Sequence, residues 1–268
     1  VEVFVDENKE NFIQNKLTKG NDCYKNLLNH FEVLFSTILT SKNALEKIGY
    51  LDENVISAQD WDTSIRLAKV CYYVHVRKPL VRWMRHNGPK MGDGGREGII
   101  GHDYVMNKFK NDILNLCGKE SWLGQIQHQL IDSSNHNFKD LVHFYLKQIP
   151  NIEKEMKELK DYVVKQKFVM IYGAGEYGNN VYRYLQKEKI AVDSFIISDG
   201  QKKTESLDVF IYTLSEVILN SDYGVLIAID KRFREEIKNN LREKEYYNFY
   251  EISDRQISII KGLLCIGT

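Results

Sequence analysis

The chain has 268 residues, of which 43% are hydrophobic and 28% are charged, and its 37 basic residues balance its 37 acidic residues. At roughly 150 residues per domain this length predicts two folded domains, each with enough apolar side chains for a core. Because nucleic-acid-binding proteins usually carry a basic excess or stripe, the neutral chain argues against that class, and no nucleic-acid partner is expected.

The first 50 residues alternate strand-like and helical patterns. VEVFV at the start reads as a strand, and the mostly apolar FEVLFSTILT (31–40) reads as a strand or strand pair. Ser41 is a suitable N-cap for a short helix in KNALEKIGY, and Gly49 is its predicted stop.

A second helix and two extended pieces follow. Asp60 opens the predicted helix WDTSIRLAKV, and CYYVHV (71–76) is rich in the aromatic and β-branched residues typical of strands. Pro79 ends that strand, and LVRWMRH is a further extended piece. The glycine-rich stretch NGPKMGDGGREG (87–98) predicts a loop.

Residues 101–166 form a predicted helical linker. Apolar residues recur at the spacing of one buried helix stripe, and Pro150 separates the last, charged helix from the others. Exposed parts of such stripes could pair two copies of the chain, which predicts a homo-oligomer.

From residue 167 onward the sequence alternates between strand and helix. The predicted strands are KFVMIYG, DSFIISD, YGVLIAID and YNFYEIS, and the predicted helices are NNVYRYLQKEK, TLSEVILN and KRFREEIKNNLREK. This alternation is the pattern of a parallel sheet with helices packed on it, so the fold class is predicted to be α/β.

The turn after the first of these strands matches G-x-G-x-x-G at Gly173, Gly175 and Gly178. Such a turn lets a phosphate approach the backbone at a helix N-terminus, and Asp199, at the end of the next strand, stands where dinucleotide folds bind ribose hydroxyls. The predicted ligand is a nucleotide or NAD(P). The alternative is that the glycines only form a tight turn.

The stretch 167–253 resembles the small Rossmann-like modules of bacterial sugar-modifying proteins. The residues that carry this resemblance are GAGEYG, FIISDG and TLSEV. Because those modules are diverse, the resemblance implies a Rossmann-like domain over 167–268 but does not select its ligand.

The acidic pair in SAQDWDTSIRLAK raises a separate question. By local physics, Asp60 suits a helix N-terminus, where a carboxylate accepts backbone N–H groups and favours the helix dipole. Asp62, in the same first turn, suits that position for the same reason. A purely structural role is therefore one interpretation of both residues.

Residues 31–90 also resemble the C-terminal half of the GT-A domain of family 2 glycosyltransferases. The resemblance rests on the order and spacing of five motifs: IGYLDE (48–53), QDWD (59–62), RLA (66–68), PLVR (79–82) and RH (85–86). It implies a partial GT-A half domain over residues 1–100.

The resemblance also implies roles for single residues. Asp60 would be the general base that takes the proton of an acceptor hydroxyl, and the sugar would be transferred with inversion. Asp62, Arg82, Arg85 and His86 would contact the substrate or its diphosphate, and His86 would be a candidate ligand of a divalent Mg or Mn ion. The implied donor is a nucleotide-sugar, and the implied acceptor is a glycan or a lipid-linked molecule.

Two departures from the family pattern limit this expectation. Gln59 stands where the family usually has an acid, and no apolar strand ends in the Asp-x-Asp metal motif; the nearest match, FVDEN (4–8), is Asp-Glu. A single His cannot hold the metal alone. The chain is therefore expected to lack its donor-binding half and to be inactive by itself.

A second hypothesis makes the chain a nucleotide- or NAD(P)-binding protein built on GAGEYG, with the first 166 residues as a substrate or oligomerisation domain. In either case a cytoplasmic location is expected, at most peripheral to the inner face of the membrane, because no signal peptide and no apolar run of about 20 residues is present. The four cysteines are expected to be free thiols, since none lies in a C-x-x-C pair.

Overall fold

The computed structural model of the chain describes residues 2–5, 8–12, 22–29, 33–74, 76, 78, 81–85, 95–202 and 209–267. The protein is α/β, as predicted. Its contacts divide the chain into two compact units, 1–132 (unit 1) and 133–268 (unit 2). The predicted linker 101–166 is thus shared between the two units, because the boundary falls inside a helix.

Unit 1 combines a small sheet with a set of helices. Its elements are β1 (Glu2–Val5), β2 (Asn8–Phe12), α1 (Asp22–Asn29), α2 (Lys42–Lys47), α3 (Gln59–Ala68), β3 (Arg82–Arg85), α4 (Gly95–Lys108), α5 (Lys110–Asp112), a π-helical turn (Ile113–Cys117) and α6 (Lys119–Asn135), which continues into unit 2. The sheet order is β2-β1-β3, and β1 runs antiparallel to β2 and parallel to β3.

The core of unit 1 forms where α3 packs on its neighbours. Trp61 is 1% exposed, and its indole N–H donates to the carbonyl of Leu27 in α1 at 2.6 Å. From α6, the Gln125 amide donates to the carbonyl of Leu28 at 2.8 Å. These bonds satisfy polar groups that would otherwise be buried at a cost, and they fix α1 against α3 and α6.

Two strand predictions in unit 1 are wrong. Residues 33–40 contain a 3₁₀ turn at Phe35–Thr37 and no strand, and the described part of 71–76 (71–74 and 76) contains no strand either. The composition of both segments favours strands, but strand formation also requires a partner to complete the ladder. The predicted helix cap is confirmed, because the Ser41 hydroxyl accepts from the backbone N–H of Ala44 at 3.2 Å.

Unit 2 contains a five-stranded, fully parallel sheet in the order β6-β5-β4-β7-β8. Its elements are α7 (Lys139–Leu146), α8 (Ile152–Val163), β4 (Phe168–Tyr172), α9 (Glu176–Lys187), β5 (Ser194–Ile197), β6 (Phe210–Thr213), β7 (Tyr223–Ile227), α10 (Lys231–Glu243), β8 (Phe249–Glu251) and α11 (Asp254–Ile266).

Alternating strand residues build the core of unit 2. Met170, Tyr172, Val225 and Ile227 belong to a buried cluster that also contains Ile237 of α10. The intervening residues of the central strands are buried as well. The near-continuous apolar character of β4 and β7 thus follows from burial on both faces of a parallel sheet.

Three sequence expectations for unit 2 need correction. In TLSEVILN (213–220) no helix forms, because Thr213 ends β6 and a turn follows at 214–216; neither β6 nor α11 was predicted. The turn forms because the Glu216 carboxylate accepts the backbone N–H of Thr213 at 2.7 Å, and the Asp199 carboxylate accepts that of Ser215 at 2.9 Å. These local bonds compete with helix formation.

Across both units, none of the described helices has the length and apolar character needed to cross a membrane.

Candidate functional sites

Asp60 lies in the first turn of α3, and the N-cap of that helix is Ala58, in the left-handed conformation with φ 63°. One Asp60 carboxylate oxygen accepts the backbone N–H of Trp61 at 3.1 Å. Burial raises the pKa of the Asp60 carboxyl above its ordinary value, although backbone N–H groups, including that of Phe35, act in the opposite direction. Among the described residues no cation pairs with Asp60, so its carboxylate remains available to take up a proton.

Asp62, unlike Asp60, is fully buried and paired with cations. It is 1% exposed, and one carboxylate oxygen bonds to Arg66 Nε at 2.8 Å while the other bonds to Lys108 Nζ at 2.6 Å. Because protein cations occupy both oxygens, this geometry favours a structural role for Asp62 over the predicted contact with substrate.

Lys108 joins two of the motifs that carry the glycosyltransferase resemblance. Its Nζ bonds to Asp62 and also to Asp52 Oδ2 at 2.6 Å, and the Lys108 hydrogen bond is the main reason that the pKa of Asp52 is far below its ordinary value. Arg66 extends the connection, since its guanidinium donates to the carbonyls of Ile48 at 2.8 Å and Tyr50 at 2.6 Å. The IGYLDE loop is therefore fixed to α3 through charged hydrogen bonds.

Helix α4 also supports the start of α3. A Cβ added at Gly101 would come within 2.6 Å of the Ser57 carbonyl oxygen, so only glycine allows α4 to approach this loop so closely. The Trp61 ring stacks on His102 at 4.4 Å between centroids, and His102 bonds to the Gln129 amide. Burial lowers the pKa of His102 to about 4, so the stacked imidazole is neutral.

The remaining predicted residues of this site are only partly described. Arg82 and Arg85 lie at the two ends of β3, and His86 lies outside the described residues. Their predicted contacts with diphosphate and metal stay predictions. Within the described ranges no group of three or more His, Cys, Asp or Glu side chains could hold a metal ion.

The glycine turn lies between β4 and α9, and each of its glycines has a different environment. Gly173 has φ 110°, in the region that favours glycine, and a Cβ at Gly178 would lie 1.8 Å from the Gly173 carbonyl oxygen. Around Gly175, the N-cap of α9, a Cβ would meet nothing within 4 Å. Gly178 therefore serves the close strand–helix packing, Gly173 allows the turn to pass close to Ala228 after β7, and Gly175 leaves open space above the helix N-terminus.

Asp199 lies two residues beyond β5, close to where the sequence places it. It is exposed, and the backbone N–H of Ser215 holds its pKa below the ordinary value. The neighbouring Ser198 hydroxyl bonds to Tyr172 of β4 at 3.0 Å. One oxygen of Asp199 is therefore used to fix the turn after β6, and its predicted bond to a ribose stays a prediction.

Two cationic residues that each bond to several partners were not singled out by the sequence. Lys108 lies 46 residues after Asp62, and Arg234 of α10 donates to the carbonyl of Ile229 and to the carboxylates of Glu251 and Asp254. An isolated Lys or Arg in an amphipathic helix carries no local signal that it is paired, so these roles depend on the fold.

Comparisons with known proteins give no assignment. No family model matches the chain, and neither a curated protein nor a solved structure is significantly similar to it.

Proposed function

We propose that unit 1 is the acceptor-side part of an inverting glycosyltransferase of the family 2 type and that Asp60 is its general base. The observation that carries this proposal is the contrast between two carboxylates of one helix turn. Asp62 is neutralised by Lys108 and Arg66, whereas Asp60 is partly buried, has a raised pKa and is free of cations within the described residues. A base must be able to accept a proton, and this environment supports that task.

The proposed reaction transfers a sugar from a nucleotide-sugar to a hydroxyl of a glycan or lipid-linked acceptor. Asp60 takes the proton as the acceptor oxygen attacks the anomeric carbon, the bond to the diphosphate breaks on the opposite face, and the configuration inverts. The donor site and its divalent Mg or Mn ion would belong to a further half domain, with Arg82, Arg85 and His86 facing the diphosphate. The enzyme would act in the cytoplasm or at the inner membrane surface.

Replacing Asp60 by Asn in a longer protein that includes the donor-binding half should lower kcat by about 10²- to 10⁴-fold, because proton removal is lost while the size of the side chain is kept. The measurement is the rate of sugar transfer to an acceptor from a set of nucleotide-sugar donors. The matched control is Asp140→Asn, which changes an acidic residue in the first turn of α7. If the Asp60→Asn protein keeps an activity within threefold of the unmodified protein, Asp60 is not the general base and only has a structural role at the start of the helix.

A second candidate function belongs to unit 2. The strand order β6-β5-β4-β7-β8 corresponds to a Rossmann-like half with its switch point between β4 and β7, where such folds bind nucleotides. The open space at Gly175 leaves room for a phosphate at the N-terminus of α9. The proposed ligand is therefore a nucleotide, a nucleotide-sugar or NAD(P).

Calorimetric titration of the chain with NADH, NADPH and a uridine diphosphate sugar tests this second function. We expect one of them to bind, and we expect Gly175→Leu to weaken that binding at least about tenfold by filling the open space, which corresponds to about 1.4 kcal/mol. Equal binding by the Leu variant would show that the ligand does not approach this turn.

A further inference from the structure

Unit 2 contains an open groove beside the edge strand of its five-stranded sheet. The groove has a volume of 540 Å³ and lies between residues 151–158, at the start of α8, and residues 250–256, which end β8 and begin α11. This volume is typical of sites that hold a small molecule. Because β8 is two strands away from β4, the groove, here called the α8–α11 groove, is separate from the glycine turn.

The polar side chains of the groove are held in place by bonds to one another. Arg255 Nε forms an ion pair with Glu155 Oε1 at 2.8 Å, and both side chains are 21% exposed. The Gln256 amide donates to the Tyr250 hydroxyl at 2.7 Å and to the carbonyl of Glu155 at 3.1 Å. A ligand would therefore meet groups that are already oriented, so little conformational entropy would be lost on binding.

Two groups that line the groove have hydrogen-bonding capacity left. The Tyr250 oxygen accepts from Gln256, and the Tyr250 O–H has no acceptor among the described residues. Burial raises the pKa of this phenol, so it keeps its proton. The second carboxylate oxygen of Glu155 has no donor in the described part of the chain, because Arg255 is held by Oε1. A ligand group that uses both positions must accept from Tyr250 and donate to Glu155.

The charges of the groove disfavour ionic ligands. Each charged side chain that lines it is paired with an opposite charge: Glu155 with Arg255, Glu158 with Lys154, and Glu251 with Lys238. An anion would meet the carboxylates of these pairs, and a cation would meet Lys154 and Arg255. In addition, a phosphate or carboxylate only accepts hydrogen bonds and an ammonium group only donates them, so each would leave Tyr250 or Glu155 unmatched. A hydroxyl group both donates and accepts, so it matches both.

We propose that the α8–α11 groove binds a neutral, polyhydroxylated ligand, namely a sugar unit. One hydroxyl accepts from the Tyr250 phenol and donates to the open oxygen of Glu155. A neighbouring hydroxyl of the same ring meets Lys154 and Glu158, whose ion pair is long, at 3.9 Å, and exposed, so it exchanges readily for bonds to a ligand. The site binds the sugar without chemistry, and it depends neither on Asp60 as a base nor on a nucleotide at the glycine turn.

Titration of the 268-residue chain with methyl glycosides, followed by nuclear magnetic resonance, tests the class of ligand. The neutral probes are the methyl glycosides of glucose, galactose, mannose and N-acetylglucosamine, and the charged probes are the uronate and 2-amino forms of the three hexosides. We expect at least one neutral glycoside to bind with a Kd of about 1 mM, and its charged forms to bind at least about tenfold more weakly. The inference is overturned if no neutral glycoside binds at about 20 mM, or if a charged form binds at least as tightly as the best neutral one.

Tyr250→Phe tests whether the sugar binds in this groove. Its matched control is Tyr247→Phe, because Tyr247 also belongs to unit 2, is 69% exposed and does not line the groove. Tyr250→Phe should weaken binding of the neutral glycoside about fivefold or more, since one hydrogen bond is lost while the ring is kept. Tyr247→Phe should leave the affinity unchanged. Equal affinities of the Tyr250→Phe protein and the unmodified protein would mean that the sugar binds elsewhere, which contradicts the inference.

Glu158→Gln gives a second test that leaves the fold intact, since the ion pair of Glu158 with Lys154 is long and exposed. Its control is Glu153→Gln in the first turn of the same helix, because Glu153 does not line the groove. Glu158→Gln should keep the melting temperature and weaken the neutral glycoside about threefold or more, because a charge-assisted hydrogen bond becomes a neutral one. Glu153→Gln should change neither property. If Glu158→Gln binds the glycoside as tightly as the unmodified protein does, the proposed site is wrong.

Discussion

Gly178→Ala is expected to destabilise unit 2 by about 3 kcal/mol or more, and to abolish its cooperative unfolding if the sheet cannot adjust. The added Cβ would lie 1.8 Å from the carbonyl oxygen of Gly173 and 3.0 Å from its carbonyl carbon. Both atoms are backbone, so relief requires α9 to move away from β4 at the centre of the sheet. The buried residues Val181 and Leu185 of α9 would lose contacts in the same movement.

Urea denaturation followed by circular dichroism measures this effect. Tryptophan fluorescence reports the unfolding of unit 1 separately, because all three tryptophans (Trp61, Trp83 and Trp122) lie in that unit, and it should change little. Gly175→Ala is the matched control, since its Cβ meets nothing within 4 Å and its φ is −83°. A Gly178→Ala protein as stable as the control would mean that the close helix–strand approach is wrong.

Lys108→Met is expected to destabilise unit 1 by roughly 3 kcal/mol, because it leaves the buried Asp62 with one cation in place of two. The side chain of Asp62 is 1% exposed and that of Lys108 is 27% exposed, so water cannot readily replace the lost partner at Asp62. The same change also removes the ion pair of Asp52, one of the bonds that fix the IGYLDE loop. Urea denaturation followed by tryptophan fluorescence reports the loss.

Lys69→Met is the control for Lys108→Met. Its ion pair with Asp112 is solvent-accessible, with side chains 46% and 38% exposed, so its loss should cost about 1 kcal/mol or less. If Lys108→Met costs no more stability than Lys69→Met, the ion-pair explanation is excluded.

The parts of the fold that the sequence predicted well are those with strong local signals. Helix α3, the Ser41 cap and the strands around GAGEYG each have a periodic or capping pattern within a few residues. In the described parts of the segments predicted as strands (33–40, 71–74 and 76) no strand forms, because a strand needs a ladder partner that composition does not specify. The missed β6 has exposed Phe210 and Tyr212 at alternate positions, so its apolar face does not point into a core.

The residues of the candidate sites also differ in whether a local sequence signal identifies them. Asp60 and the glycines could be selected from the sequence because their motifs are contiguous. The difference between Asp60 and Asp62 could be predicted only in part, since Arg66 stands four residues after Asp62 on the same helix but Lys108 lies 46 residues away. Nor could the sequence show that α4 needs glycine at 101, because that need arises from contact with Ser57.

The contacts of α3 with α1 and α4 set limits on how the site could be moved between proteins. The motifs lie within residues 31–90, but the indole of Trp61 depends on Leu27, and the carboxylates of Asp52 and Asp62 depend on Lys108. A chimera that transplants only the motif-bearing stretch would carry Asp60 without the groups that fix α3 and the IGYLDE loop. An interchangeable piece therefore has to include at least α1 and α4 together with the motifs.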